Sequence, residues 1–202
     1  MKLYFSPGAC SLASHIVLRE AGLPFEAVKV DLAAKKTADG GDYLAVTKKG
    51  YVPALRLDNG EVLTEGTAIM PYVADQVPAS KLAPAAGTLA RARLHEWLGY
   101  INSELHKNFA PFFTPGTSDA AKQAARDKLG KKFSFVAEQL GDKPYLLGSD
   151  FTVADAYLFT ILGWTKYGAI DLATWPTLAA YQARAMARPA VTAAMKAEGL
   201  IK

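Results

Sequence analysis

The residue best placed to do chemistry in this sequence is Cys10, which is the only cysteine of the chain. It follows a short apolar stretch and the turn-forming residues Ser6-Pro7-Gly8, and it precedes a stretch with helical periodicity. A thiol at the first turn of a helix lies near unpaired backbone N–H groups and the positive end of the helix dipole, which favour thiolate over thiol. For a lone cysteine the more common alternative is a small buried residue after a turn. The residues that follow favour sulfur chemistry.

Three further positions could hold a small peptide beside this thiol. Lys35 offers a cation in a polar connector, and Tyr51-Val52-Pro53 contains a proline of the kind that often follows a cis bond. Such a turn leaves the backbone N–H and C=O of Val52 free to pair with an extended peptide. Thr64-Glu65-Gly66 opens a predicted helix, and a helix N-terminus binds a carboxylate. These positions together predict a site for a thiol peptide with two carboxylates, its sulfur near Cys10.

The elements that must position these residues alternate between strands and helices. The pattern predicts strands over 2–5, 25–30 and 53–57, a hairpin through Asp58-Asn59-Gly60 into 61–63, helices over 11–21 and 64–77, and a polar connector over 33–42. This order predicts a small mixed sheet with one parallel and one antiparallel pair. We therefore expect an α/β domain over residues 1–78.

The remainder of the chain has helical spacing almost throughout. An Ala- and Pro-rich stretch predicts a linker over 79–87, and an all-helical domain is expected over 88–202. Thr152-Val153-Ala154-Asp155 has the pattern of a capping box, preceded by Phe151 as the outer member of a hydrophobic staple. We interpret Asp155 as structural and not as a catalytic carboxylate.

Composition and charge exclude several classes of protein. The formal net charge is only +4 and no basic cluster stands out, which argues against nucleic-acid binding. We expect no signal peptide and no membrane span. A single cysteine excludes an intrachain disulfide and favours a cytoplasmic location. The histidines and the cysteine lack the short paired spacing of a zinc site, so no metal is predicted.

The chain resembles the cytosolic glutathione transferases, most closely the bacterial beta class. The resemblance covers essentially the whole chain and is carried by Tyr4-Phe5-Ser6-Pro7-Gly8-Ala9-Cys10-Ser11-Leu12, Gly50-Tyr51-Val52-Pro53, Leu63-Thr64-Glu65-Gly66, Ser103-Glu104-Leu105-His106-Lys107 and Tyr145-Leu146-Leu147-Gly148. It implies a thioredoxin-like N-terminal domain followed by an all-α domain, glutathione as co-substrate and a homodimer with two-fold symmetry.

The resemblance also implies roles for individual residues. Cys10 is expected to face the sulfur of glutathione, Lys35 its glycyl carboxylate and Val52 its cysteinyl backbone. The γ-glutamyl end is assigned to Glu65 and Gly66, and hydrogen bonds from Cys10 and His106 are expected to favour the thiolate. The full set of predicted glutathione-binding residues is Cys10, Lys35, Val52, Glu65, Gly66, Gly99, Ser103, Glu104, His106 and Lys107, with Cys10 and His106 as the catalytic residues.

Gly99 departs from the family pattern, which usually has Asn at this position, so one polar contact to glutathione is missing there. The aromatic residues that either pack in the core or line an apolar electrophile pocket are Phe109, Phe112, Phe113, Trp164 and Tyr167.

The predicted function is conjugation of the glutathione thiol to apolar electrophiles, in detoxification. One alternative is a glutathione-dependent thiol–disulfide reductase or peroxidase that works through a mixed disulfide on Cys10. Ala13 stands where a C-x-x-C motif would place its second cysteine, which disfavours a dithiol route. The other alternative is a non-catalytic ligand-binding protein, and the joint presence of Cys10, Lys35, Glu65 and His106 argues against it.

Overall fold

Five strands form one mixed sheet in the computed structural model, which describes residues 1–202. The strands are β1 (Lys2–Phe5), β2 (Glu26–Asp31), β3 (Lys36–Thr37), β4 (Ala54–Arg56) and β5 (Val62–Thr64). Their order in the sheet is β3-β2-β1-β4-β5, with β1 parallel to β2 and all other neighbours antiparallel. The expected mixed sheet is therefore present. Strand β3 was not predicted, because two residues within a polar connector carry no alternating pattern.

Eight α-helices accompany the strands, together with short 3₁₀ and π-helical turns. They are α1 (Ser11–Glu20), α2 (Gly66–Gln76), α3 (Leu89–Tyr100), α4 (Ala110–Phe113), α5 (Asp119–Leu140), α6 (Val153–Leu162), α7 (Pro176–Met186) and α8 (Pro189–Ala197). The predicted helix over 64–77 begins later than expected, because Thr64 pairs with Ala54 as the last residue of β5. The predicted hairpin is present, and its turn is closed by a hydrogen bond of 2.8 Å from the Leu57 N–H to the Glu61 carbonyl.

The first of two compact units consists of Met1–Ala83 together with Ala187–Lys202. Its core includes Leu3 on β1 and Ile16 and Leu18 on α1, all with no exposed surface. Helix α8 packs against α1 with Val191 and Ala194 buried, and the Arg188 guanidinium forms two hydrogen bonds with Glu20, of 2.6 and 2.9 Å. The predicted helical domain over 88–202 therefore differs from the structure at residues 187–202. Helical periodicity reveals an apolar face but not which unit that face packs on.

The second unit, Pro84–Met186, is built from α3 to α7. The predicted capping box at the start of α6 is confirmed, since Thr152 and Asp155 satisfy each other's backbone and side-chain groups. Asp155 is fully buried and also accepts hydrogen bonds from the Leu146 N–H and the Tyr181 hydroxyl, at 2.9 and 3.2 Å. It thus joins α6 to α7 as well as starting α6. None of the helices is both long and apolar enough to cross a membrane.

Candidate active site

Cys10 directly precedes α1 and is the N-cap residue of that helix. The turn before it is closed by a hydrogen bond of 3.0 Å from the Ala9 N–H to the Ser6 carbonyl. The Cys10 side chain is half-buried and does not cap the helix; its sulfur donates to the Val52 carbonyl at 3.3 Å. Because sulfur is the donor, this contact is made by the thiol form.

Val52 lies in the turn before β4, and its peptide bond to Pro53 is cis. Its backbone N–H has no hydrogen-bond partner, whereas its carbonyl accepts from Cys10. The expectation that both groups would be free therefore holds only for the N–H. That N–H is the group able to pair with the carbonyl of an added peptide.

The short segment Lys49–Val52 contacts the side chains of Lys35, Glu65 and Cys10. The Lys35 ammonium donates to the Gly50 carbonyl at 2.9 Å and lies 5.5 Å from the centroid of the Tyr51 ring. The Lys49 ammonium pairs with Glu65 at 2.8 Å. Lys49 was not among the predicted residues, because nothing local in the sequence links positions 49 and 65.

Glu65 adopts an uncommon backbone conformation at the start of α2. Its φ is 67° and its ψ 115°, a region that residues other than glycine rarely occupy and that occurs in sites held by surrounding structure. Helix α2 begins at Gly66, so the first N–H groups of that helix have no partner within it. A carboxyl side chain and a helix N-terminus thus lie side by side, as the sequence predicted.

The predicted residues of the second unit cluster where α3 ends. There the chain passes from α3 through a π-helical turn, Ile101–Leu105, into a 3₁₀ turn, His106–Phe109. The Ser103 hydroxyl donates to the Gly99 carbonyl at 3.0 Å, and Lys107 is exposed. Irregular turns of this kind are frequent at functional sites.

Glu104 forms an ion pair within the second unit. Its carboxylate pairs with Lys132, and this hydrogen bond keeps the pKa of Glu104 below its usual value. At Gly99 a side chain would enter open space, with no atom within 4 Å of an added Cβ. The family's usual Asn would therefore fit there.

His106 is oriented by two hydrogen bonds in series. The Tyr157 hydroxyl donates to the Asn102 side-chain oxygen at 3.1 Å, so the 2.7 Å contact between His106 Nδ1 and that hydroxyl is donated by Nδ1–H. Burial, with a smaller contribution from Lys107, lowers the pKa of His106 to about 4. The ring is then neutral near pH 7 with an unprotonated Nε2.

This tautomer changes the expected role of His106. A neutral imidazole that donates through Nδ1 can only accept through Nε2, so it can accept a hydrogen bond from a thiol but cannot donate one to a thiolate. Tyr157 and Asn102 were not predicted, since Tyr157 lies 51 positions after His106.

The predicted aromatic residues form one connected cluster. It contains Phe109, Phe112, Phe113, Trp164 and Tyr167. The ring centroids of Phe113 and Trp164 are 5.2 Å apart, and those of His106 and Trp164 are 4.8 Å apart. Phe113 and Tyr167 are each 49% exposed, while Phe109 has no exposed surface and packs as core. Phe113 and Tyr167 therefore present aromatic surface to solvent.

The structure thus brings the predicted residues together in two groups. Cys10, Lys35, Val52, Glu65 and Gly66 belong to the first unit, and the predicted residues from Gly99 to Tyr167 belong to the second. Within each group, direct contacts or a shared turn connect the members.

Comparison with known proteins agrees with the fold. Residues 8–76 match the family model of the glutathione S-transferase N-terminal domain, and residues 100–189 match that of the C-terminal domain. Glutathione S-transferase GstA of Escherichia coli O157:H7 is 49% identical over 200 residues, covering 99% of this chain and 100% of that protein.

Solved structures give the same result. A bacterial beta class glutathione S-transferase from Sphingomonas chungbukensis is 53% identical with a TM-score of 0.96, and each chain is covered completely, at 100%. A sphingomonad glutathione S-transferase complexed with glutathione is 54% identical, also with a TM-score of 0.96 and 100% coverage of both chains. The predicted thioredoxin-like domain followed by an all-α domain is confirmed. By sequence along its whole length and by fold, the chain belongs to the glutathione S-transferase family.

Proposed function

We propose that this glutathione transferase joins the sulfur of glutathione to an electrophilic carbon of apolar compounds, in detoxification. The observation that carries the proposal is the segment Lys49–Val52, which contacts Glu65, Lys35 and Cys10 in turn. Four residues reach at most about 14 Å, which is close to the length of a tripeptide. The segment therefore gathers a carboxylate, a cation and a thiol within the reach of one glutathione molecule.

Each proposed contact matches a chemical group of glutathione. Lys35 would bind the glycyl carboxylate, and the unpaired N–H of Val52 would bind a peptide carbonyl. Glu65 would bind the γ-glutamyl ammonium, and the start of α2 at Gly66 would bind the γ-glutamyl carboxylate. Lys49 would share the Glu65 carboxylate with that ammonium, since a carboxylate has several acceptor sites.

The proposed reaction is a nucleophilic substitution by the glutathione thiol. The thiol loses its proton, the sulfur forms a bond to the electrophilic carbon, and the leaving group departs with the bonding electron pair. Cys10 would be the hydrogen-bonding partner of the sulfur, Nε2 of His106 would accept a hydrogen bond from the thiol, and the proton would pass to solvent water. We assign the electrophile to the exposed end of the aromatic cluster, Phe113 and Tyr167. An apolar ring can pack there against the aromatic side chains.

Ser103, Glu104 and Lys107 remain predicted contributors to glutathione binding. Gly99 remains a position that lacks the contact expected of the family's usual Asn. We further propose a homodimer, no metal cofactor and a cytoplasmic location. A catalytic thiol that must stay reduced supports that location.

The binding roles can be tested by steady-state kinetics with an activated aryl halide. Lys35→Met and Glu65→Gln should each raise KM for glutathione about tenfold or more while kcat at saturation changes less than threefold, because a lost charge-assisted contact of about 1.5–3 kcal/mol acts on binding. Lys36→Met is the matched control, since Lys36 is an exposed neighbour on β3 and should leave both constants unchanged. A large fall in kcat with unchanged KM would rule out these binding roles of Lys35 and Glu65.

A further inference from the structure

The exposed end of the aromatic cluster is assembled from two short elements of the second unit. Phe113 is the last residue of α4, and Tyr167 belongs to the 3₁₀ helix Gly163–Gly168, which follows α6. Their ring centroids are 5.4 Å apart. Helix α4 has only four residues, and 3₁₀ helices have poorer hydrogen-bond geometry than α-helices. The shape of this aromatic surface therefore depends on what holds the two elements together.

Arg126 of α5 contacts both elements. Its Nε donates a hydrogen bond of 2.8 Å to the carbonyl of Gly168, the last residue of the 3₁₀ helix. Its guanidinium carbon lies over the ring of Phe112 in α4, 5.7 Å from the ring centroid. Its Nη1 donates to the Gln123 side chain at 3.1 Å, so the guanidinium is also held on α5 itself. A guanidinium can make such contacts together, because its donors lie in a rigid plane whose face packs on aromatic rings.

Phe112 and Gly168 also contact each other closely. A Cβ atom added to Gly168 would lie 3.2 Å from two atoms of the Phe112 ring and 3.2 Å from the Ile170 side chain. Gly168 is buried, and its carbonyl is at the end of a helix, where backbone acceptors lack partners within the helix. Arg126 supplies that partner. Without the guanidinium, the buried carbonyl would lose its donor and the Phe112 ring would lose a neighbour.

We propose that Arg126 is a positioning residue of the electrophile site, which fixes α4 against the 3₁₀ helix and so selects compounds with a rigid aryl group. The inference rests on the proposed function, because that function assigns the electrophile to Phe113 and Tyr167. Aromatic rings prefer a few defined arrangements with centroids about 4.5–7 Å apart, so an aryl group needs its aromatic neighbours at fixed positions. A flexible alkyl chain adjusts to neighbours that have moved, because hydrophobic contact has no preferred direction.

The test is calorimetric titration of the full chain with glutathione, S-benzylglutathione and S-hexylglutathione, none of which requires turnover. Arg126→Met keeps an unbranched apolar side chain and removes the donors and the charge. We expect Kd for S-benzylglutathione to rise about 3- to 10-fold, because the aryl group loses its fixed neighbours. Kd for S-hexylglutathione should rise less than about twofold, and Kd for glutathione should stay unchanged. A variant that is only less stable would not separate the benzyl from the hexyl compound.

Lys131→Met is the matched control. It removes an exposed cation from the same helix without touching α4 or the 3₁₀ helix, so all three Kd values should match those of the wild type. Arg126→Lys keeps the charge and a donor, and its Kd for S-benzylglutathione should fall between those of the wild type and Arg126→Met. Unchanged binding in Arg126→Met, or equal losses for the benzyl and hexyl compounds, would overturn the proposal.

A second variant covers the case in which Arg126→Met does not fold. Gly168→Ala leaves Arg126 in place but forces the Phe112 ring to shift, so it should raise Kd for S-benzylglutathione more than Kd for S-hexylglutathione. A ratio of these two Kd values equal to that of the wild type would overturn the proposal.

The wild type separates this proposal from the proposed function. A chain that binds S-benzylglutathione more tightly than glutathione but conjugates no aryl halide would overturn the proposed function and leave the binding comparison intact. A wild type that gains no affinity from the benzyl group would overturn both, since the exposed aromatic residues would then bind no aryl group.

Discussion

Cys10 and His106 differ in what their reactive atoms are able to do. The sulfur of Cys10 acts as a hydrogen-bond donor toward a backbone carbonyl, whereas Nε2 of His106 carries a lone pair. The helix terminus beside Cys10 suggested a thiolate, and a local pattern could not reveal that Val52 would supply an acceptor. The two side chains therefore suit different contacts with a thiol: Cys10 can donate a hydrogen bond to its sulfur, and His106 can accept one from its S–H.

Cys10 should form a mixed disulfide with glutathione. Attack of the Cys10 sulfur on oxidised glutathione makes one glutathionyl adduct and releases one reduced glutathione. Intact-mass spectrometry should detect one adduct per chain, removed by dithiothreitol and missing in Cys10→Ala. Conjugation by Cys10→Ala should fall roughly tenfold or less, about 1.4 kcal/mol, because the N-terminus of α1 still favours the thiolate of bound glutathione. An unmodified wild type would show that Cys10 is inert.

The half-buried His106 should make stability depend on pH. Its pKa in the folded chain is about 4, below the ordinary value of 6.5, so between these values only the unfolded chain takes up the proton. Stability is therefore lost as the pH falls through this window, by about 2 kcal/mol between pH 7 and 5. Urea unfolding of the wild type should show this fall in the free energy of unfolding between pH 7 and 5. In His106→Gln the fall should be smaller by about 2 kcal/mol.

The exposed His95 on α3 provides the control for that experiment. His95→Gln should reproduce the wild-type dependence on pH, because its surroundings change little on unfolding. Should His106→Gln and the wild type lose equal stability over this range, His106 would not be held neutral by its surroundings.

At the scale of elements, α3 ends at Tyr100 and is followed directly by a π-helical turn and a 3₁₀ turn. Gly99 lies one residue before the last of α3, is exposed and has open space around an added Cβ. Gly99→Ala should raise the free energy of unfolding by about 0.5–1 kcal/mol, since glycine disfavours a helix. Chemical denaturation measures this gain; a loss of stability would mean that the backbone at Gly99 needs the freedom of glycine.

The elements near the thiol could be predicted because their signals are local. The strand over 2–5 and the capping box of Thr152 and Asp155 each depend on residues a few positions apart. The partners that define the site are distant in sequence: Lys49 with Glu65, His106 with Tyr157, and Gly8 with Glu198, the last separated by 190 positions. No periodicity or capping pattern encodes such pairs, so they emerge only from the folded chain.

At the scale of the whole molecule, several large apolar side chains remain exposed on the single chain. They are Leu44, Tyr51, Tyr72, Leu89, Phe113, Phe135 and Tyr167. Because the chain has a mass of 21.6 kDa, the proposed homodimer should give about twice that mass by light scattering at micromolar concentration. A mass of one chain under those conditions would refute the dimer.

The hydrogen bond from Gly8 to Glu198 also determines when, during synthesis, the turn before Cys10 can be completed. Synthesis proceeds at about 5–20 residues per second, so Glu198 is added roughly 10–40 s after Gly8. During that interval the nascent chain already carries Cys10 but lacks the carboxylate that fastens its turn. The thiol turn is therefore completed only after Glu198 is added, 190 positions after Gly8.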